Sequence, residues 1–117
     1  MSRKPQRDRE LVRNMFDLLK LLAVDPAKST VAYATMGAFR TEVHVHTKKD
    51  GHASTCMVIP LDQTIFEEAL RNQLMADTGE KPPPHARYVI TSKGREELSM
   101  FFAVEDQWRT THPWPPD

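Results

Sequence analysis

The run Glu42-Val43-His44-Val45-His46 is the most suggestive chemistry in the chain. On a strand, side chains two apart point the same way, roughly 6.5–7 Å from one another. A carboxylate and two imidazoles on one face are ligands for Zn or another divalent ion, given one further ligand. No fourth ligand stands at a recognisable spacing, and His52 falls on the other face of the hairpin read below. The polar, solvated face of a hairpin rich in Thr, His and Lys therefore accounts for Glu42, His44 and His46 better than a metal does. Cys56 reads as a small buried apolar residue with no neighbour to lower its pKa. Serines occur at 2, 29, 54, 92 and 99, and none lies in a Gly-x-Ser-x-Gly elbow. The glycines, at 37, 51, 79 and 94, are too scattered for a phosphate-cradling loop. No catalytic residue and no cofactor is assigned, and the balance is against an enzyme.

Cations offer a second kind of chemistry. Arg3, Lys4, Arg7, Arg9 and Arg13 open the chain, diluted by Asp8 and Glu10. Such an arm can reach phosphates or a minor groove, and a solvated terminus is its commoner meaning. Trp114, set among Pro113, Pro115 and Pro116, fits either a partner-binding motif or a plug on its own core.

These groups must be positioned by a small frame. The chain has 117 residues, with 16 Lys and Arg against 16 Asp and Glu, so the formal net charge is zero. That balance excludes the strongly basic histone-like class, which binds phosphate through a charge surplus. Hydrophobic residues are 39% of the total, enough for one modest core and too many for a disordered chain. One cysteine excludes an internal disulfide framework. The longest apolar stretch, 18–24, is broken by Lys20 and too short for a bilayer. The basic start lacks a cleavage site, so a reducing cytoplasm is the expected compartment.

Residues 1–8 read as a flexible basic arm, 9–108 as one α+β domain and 109–117 as a Pro/Trp-rich tail. Leu11, Met15, Leu18, Leu19 and Leu22 recur at helical spacing over 11–24, and Asp25-Pro26 ends that helix. Residues 26–38 fit a short helix or a strand; Thr30-Val31 and an unbroken parity favour strand, with a break near Gly37. Thr41 to Lys49 alternates, Asp50-Gly51 is a favoured two-residue turn, and His52 to Ile59 returns. That turn pairs Val45 with Cys56 and Val43 with Val58, burying all four, while Glu42, His44 and His46 face outward with Met57 and Thr55. Asp62 or Thr64 caps a helix over 63–76, Gly79 closes it, 87–90 forms a short strand, and Thr91 or Ser92 caps a last helix over 93–107. The three helices should cover one face of an antiparallel sheet of three to four strands. Phe16, Phe39, Val43, Val45, Val58, Phe66, Leu70, Ile90, Leu98 and Phe101 make the expected core. The apolar stripes are generous for so short a chain, which points to a homodimer.

The segment Arg87-Tyr88-Val89-Ile90-Thr91-Ser92-Lys93-Gly94-Arg95-Glu96-Glu97-Leu98 resembles the end of winged-helix transcription regulators, whose second wing strand closes in Tyr-x-Leu-Thr-x-Lys-Gly before a terminal helix. The resemblance spans about a dozen residues. It implies that 63–76 is the recognition helix and 77–86 the wing, with Lys81, His85 and Arg87 near phosphates and Arg71, Asn72 and Gln73 suited to base edges or phosphates. The leading expectation is a non-enzymatic, cytoplasmic binding or regulatory protein that contacts nucleic acid through Arg3, Lys4, Arg7, Arg71, Lys93 and Arg95. An adaptor binding another protein through the hairpin face or the Pro-Trp-Pro tail stands second. A small metal enzyme using Glu42, His44 and His46 stands third. No membrane partner is expected.

Overall fold

A computed structural model describes residues 5–28, 30–83 and 85–111. Helix α1 (Pro5–Leu22) leads into strands β1 (Thr30–Met36), β2 (Glu42–Lys49) and β3 (Thr55–Pro60), followed by helix α2 (Gln63–Arg71). Strands β4 (Met75–Asp77) and β5 (Tyr88–Ile90) then precede helices α3 (Ser92–Ala103) and α4 (Glu105–Thr111). The fold is α+β, with one open five-stranded sheet in the order β3-β2-β1-β5-β4, antiparallel throughout.

The apolar stripe of α1 makes the spine of the core. Val12, Met15, Phe16, Leu18, Leu19 and Leu22 are all buried, while Glu10, Arg13, Asp17 and Lys20 face water. The helix is already formed at Pro5, so the backbone of 5–8 is helical rather than an arm; Arg3 and Lys4 lie outside the described residues. At its other end Asp25 Oδ1 accepts the Ala27 N–H (3.0 Å), fixing a single 3-10 turn, Pro26–Lys28. Residues 30–36 are the strand that their parity favours. Ala32 and Ala34 turn inward, and their small side chains allow close approach to the central strand, while Val31 is 63% exposed.

Phe39 leaves the expected core and is 88% exposed. The break at Gly37 is a full turn, held by Gly37 N–H to Glu42 O (2.9 Å) and Arg40 N–H to Gly37 O (3.0 Å), with Arg40 left-handed at φ 58°. Phe39 sits at its tip, so strand parity no longer governs where its side chain goes.

The β2–β3 register is shifted by one residue from the expected one. Asp50-Gly51 does turn the chain, with His52 N–H on Lys49 O (2.9 Å) and Gly51 at φ 78°. Pairing resumes only at Thr47↔Thr55, and continues as His46↔Cys56, Val45↔Met57, His44↔Val58 and Val43↔Ile59. A slip of one residue flips a whole strand. Cys56 and Val58 therefore join the face of His44 and His46, Cys56 exposed and Val58 half exposed. Neither belongs to the core. Met57 and Ile59 take the inward positions opposite Val45 and Val43, where Ile59 packs against the core and Met57, on the edge strand, stays half exposed.

Asp62 caps α2 through Oδ1, which accepts the Ile65 N–H (3.1 Å). This helix stops at Arg71 instead of running to 76, because Gln73 turns left-handed (φ 63°) and Met75 enters a ladder with Ile90. Gly79 (φ 77°) belongs to the loop beyond β4 and not to a helix end. Thr91 caps α3, accepting the Gly94 N–H (2.9 Å). The expected last helix is broken at Val104, and α4 folds Trp108 back onto the core. There Phe16 stacks on Phe101 (centroids 3.9 Å, 9°), and Trp108 meets both rings edge-on at 4.7 and 5.4 Å. Its indole N–H donates to Glu97 Oε2 at 2.6 Å, so the buried polar atom is satisfied. Leu70, Ile90 and Leu98 are half-buried against this core.

Candidate functional site

The face of the sheet turned away from α1 carries the polar row. Successive strands place His44 and His46 (β2) and Tyr33 (β1) side by side on it, because Tyr33 pairs directly with His46. The Tyr33 and His46 rings stack at 4.8 Å and 17°, and His44 continues the row at 6.5 Å from His46. At the other end the Arg87 guanidinium lies over the Tyr33 ring, 4.5 Å from its centroid, a cation–π contact. Arg87 arrives from the 78–87 loop, whose base is tied by Thr78 N–H to Arg87 O (2.9 Å). Lys81, Pro82 and His85 of that loop join Tyr33, Thr35, Met36, His46 and Arg87 around an open cleft of about 480 Å³. A second cleft of about 420 Å³ lies between the same loop and α2, floored by Met36, Phe66, Leu70, Ala86 and Tyr88. His85 borders both.

The electrostatics of the row are set by crowding. The His46 imidazole is pushed below its ordinary pKa, first by burial and then by the nearby His44 and Arg87. Its Nε2 lies 3.2 Å from Thr35 Oγ1. Arg87 also pairs with Glu80 at 3.3 Å, a surface contact that a competing anion can replace at little cost. Tyr88, on the other side of the sheet, is raised above the usual phenol pKa by burial and by Asp77 and Glu67, so it stays a hydroxyl donor.

The metal trio shares one face, as period-two spacing requires, but its nitrogens do not converge. His44 Nε2 is 3.1 Å from Glu42 Oε1, while His46 Nε2 turns to Thr35. Among the described residues no group of three His, Cys, Asp or Glu is placed to hold a metal ion.

Of the cations singled out from sequence, Arg7 lies on α1 and Arg71 ends α2, tied to Glu68. Lys93 is exposed in the first turn of α3, and Arg95 donates to Val24 O at 2.9 Å. Arg71 and Lys93 flank one junction, where Thr91 Oγ1 donates to Gln73 O (2.5 Å) and Thr91 N–H to Leu74 O (3.1 Å). Gly94 is required there, because a Cβ would run into the Leu74 carbonyl oxygen. The structure thus gathers Lys81, His85 and Arg87 around the ring row, and holds Arg71, Lys93 and Arg95 elsewhere. Tyr33 and Thr35 were missed from sequence, and their only signal was cross-strand register. Between α1 and α2 the described residues form one 3-10 turn and strands β1 to β3. No protein-family model, curated protein or solved structure matches this chain.

Proposed function

We propose that this chain is a non-enzymatic nucleic-acid-binding protein that takes a single strand on the uncovered sheet face. The observation that carries the reading is the row His44–His46–Tyr33–Arg87, flanked by Lys81 and His85 in the open cleft. Ring side chains beside cations are what a single strand needs, because every base has a π-face and every nucleotide a phosphate. The 78–87 loop supplies the cations, in the role the winged-helix resemblance gives a wing. Helix α2 is the weaker contact surface, since its exposed positions include Glu67 and its Arg71 is already paired with Glu68. A reducing cytoplasm and a homodimer belong to the same reading, the first supported by the single cysteine, the second by the exposed apolar side chains Met57 and Val58. Half-exposed Val58 and exposed Val31 beside the row favour, as a second reading, a protein partner on this same face.

The test is fluorescence anisotropy of a labelled mixed-sequence single strand, and of its duplex, at about 50 and about 200 mM salt. Two to three phosphate contacts give a slope of about −0.7 each, so affinity should fall about tenfold between those salts. The single strand should bind more tightly than the duplex, and Arg87→Gln should weaken it where Lys93→Gln does not. No binding at either salt, or duplex binding indifferent to Arg87→Gln, would overturn the proposal.

A further inference from the structure

Strand β3 is one border of the sheet, and its outer edge offers backbone donors and acceptors to another strand. Borders are commonly guarded by charge, proline or shortness. The opposite border, β4, is guarded: it has three residues and ends on Asp77. Strand β3 runs for six, Thr-Cys-Met-Val-Ile-Pro, with no charge and its only proline at the end. Apolar side chains stand half exposed on both of its faces, Met57 at 52% and Val58 at 50%. On the helix side α1 continues the strip: Asn14 Nδ2 is anchored to Pro60 O (2.9 Å), and Leu11 and Leu21 on that flank are only half-buried.

We infer that β3 is the interface of a symmetric homodimer, in which two copies pair their β3 edges antiparallel into one ten-stranded sheet. This rests on the homodimer part of the reading above and not on nucleic acid. A second copy fits because a two-fold axis through Met57 sets uncharged Thr55–Ile59 against itself, so no like charges meet: Met57 faces Met57, Cys56 faces Val58 and Thr55 faces Ile59. The strand is about 20 Å long. A standard interface buries roughly 800 Å² per partner, so the α1 flank beside β3 must join the strand edge in the contact.

The experiment is sedimentation equilibrium of the full chain up to about 100 µM, a concentration at which a micromolar dimer is nearly complete. Met57→Lys and Val58→Lys, one on each face of β3, should each shift the chain to monomer with an unchanged circular-dichroism spectrum, since both sites are half exposed before any pairing. Phe102→Lys, at an equally exposed apolar site on α3, should leave the dimer intact. A wild-type chain that stays monomeric overturns both the dimer and its interface. A dimer that survives both lysine variants, or that Phe102→Lys alone disrupts, overturns the β3 edge while leaving a dimer through another surface.

Discussion

Replacing Gly94 with alanine sets two physical effects of opposite sign against each other. Gly94 lies within α3, and in a free helix alanine is favoured over glycine by about 1 kcal/mol. Here the added Cβ would run into the Leu74 carbonyl oxygen and lie 2.8 Å from Ile90 Cγ1. The Leu74 oxygen is held by the Thr91 N–H at the end of the β4–β5 ladder and cannot simply rotate aside, so α3 must move away from the α2–β4 turn. Overpacking of this kind costs about 1–3 kcal/mol. The displacement also stretches the bonds of Thr91 to Gln73 O and Leu74 O, worth about 1 kcal/mol each. After subtracting the helix gain, Gly94→Ala should destabilise by about 2–4 kcal/mol. Urea denaturation followed by far-UV circular dichroism would read this as a lower midpoint with an unchanged slope. An unchanged or raised midpoint would mean that the helix preference wins and that the close approach at 94 is not what holds the junction.

Trp108→Ala should cost about 3–5 kcal/mol by emptying the space beside Phe16 and Phe101, measured by the same denaturation; a loss below about 1 kcal/mol would show that α4 does not close the core. Asp62→Ala should cost about 1 kcal/mol through the lost cap of α2, with Asp62→Asn retaining most of it. His46 has a folded pKa below its ordinary 6.5, so the unfolded chain binds the proton more readily. Its stabilisation is complete above that value and declines as pH falls through 6.5 toward the folded pKa, a dependence that denaturation midpoints should show and His46→Gln should remove. Ligand phosphate beside His46 would favour the imidazolium, so single-strand affinity in the anisotropy assay should rise as pH drops below 6.5, and a flat profile would place His46 away from phosphate.

What could be read directly was local. The stripe of α1 and the turn at Asp50-Gly51 depend on residues a few positions apart and are present as expected, and of the two candidates for each cap Asp62 and Thr91 take the position. Strand parity placed Glu42, His44 and His46 together, but the facing strand was set by how many residues stay unpaired after the turn. That number puts Met57 and Ile59, in place of Cys56 and Val58, opposite Val45 and Val43, and no local rule states it. The end of α2 was likewise decided from outside, by Ile90 drawing Met75 into a ladder. The ring row was legible only in halves, since Tyr33 meets His46 through one ladder and approaches Arg87 through another, at Ala34↔Tyr88.

That last ladder is a seam. Strands β1 to β3 form one meander of neighbouring segments, and β4 with β5 form a hairpin of their own; the two meet at a single register pair, positions 34 and 88. Side chains bind the two parts in one continuous core, where Phe16 from the first part stacks on Phe101 and is edged by Trp108 from the last. Loosening these three rings should favour local opening at the seam, read as lower hydrogen-exchange protection around positions 34 and 88. A groove whose rings come from the meander and whose Arg87 comes from the hairpin would then change width with every such opening.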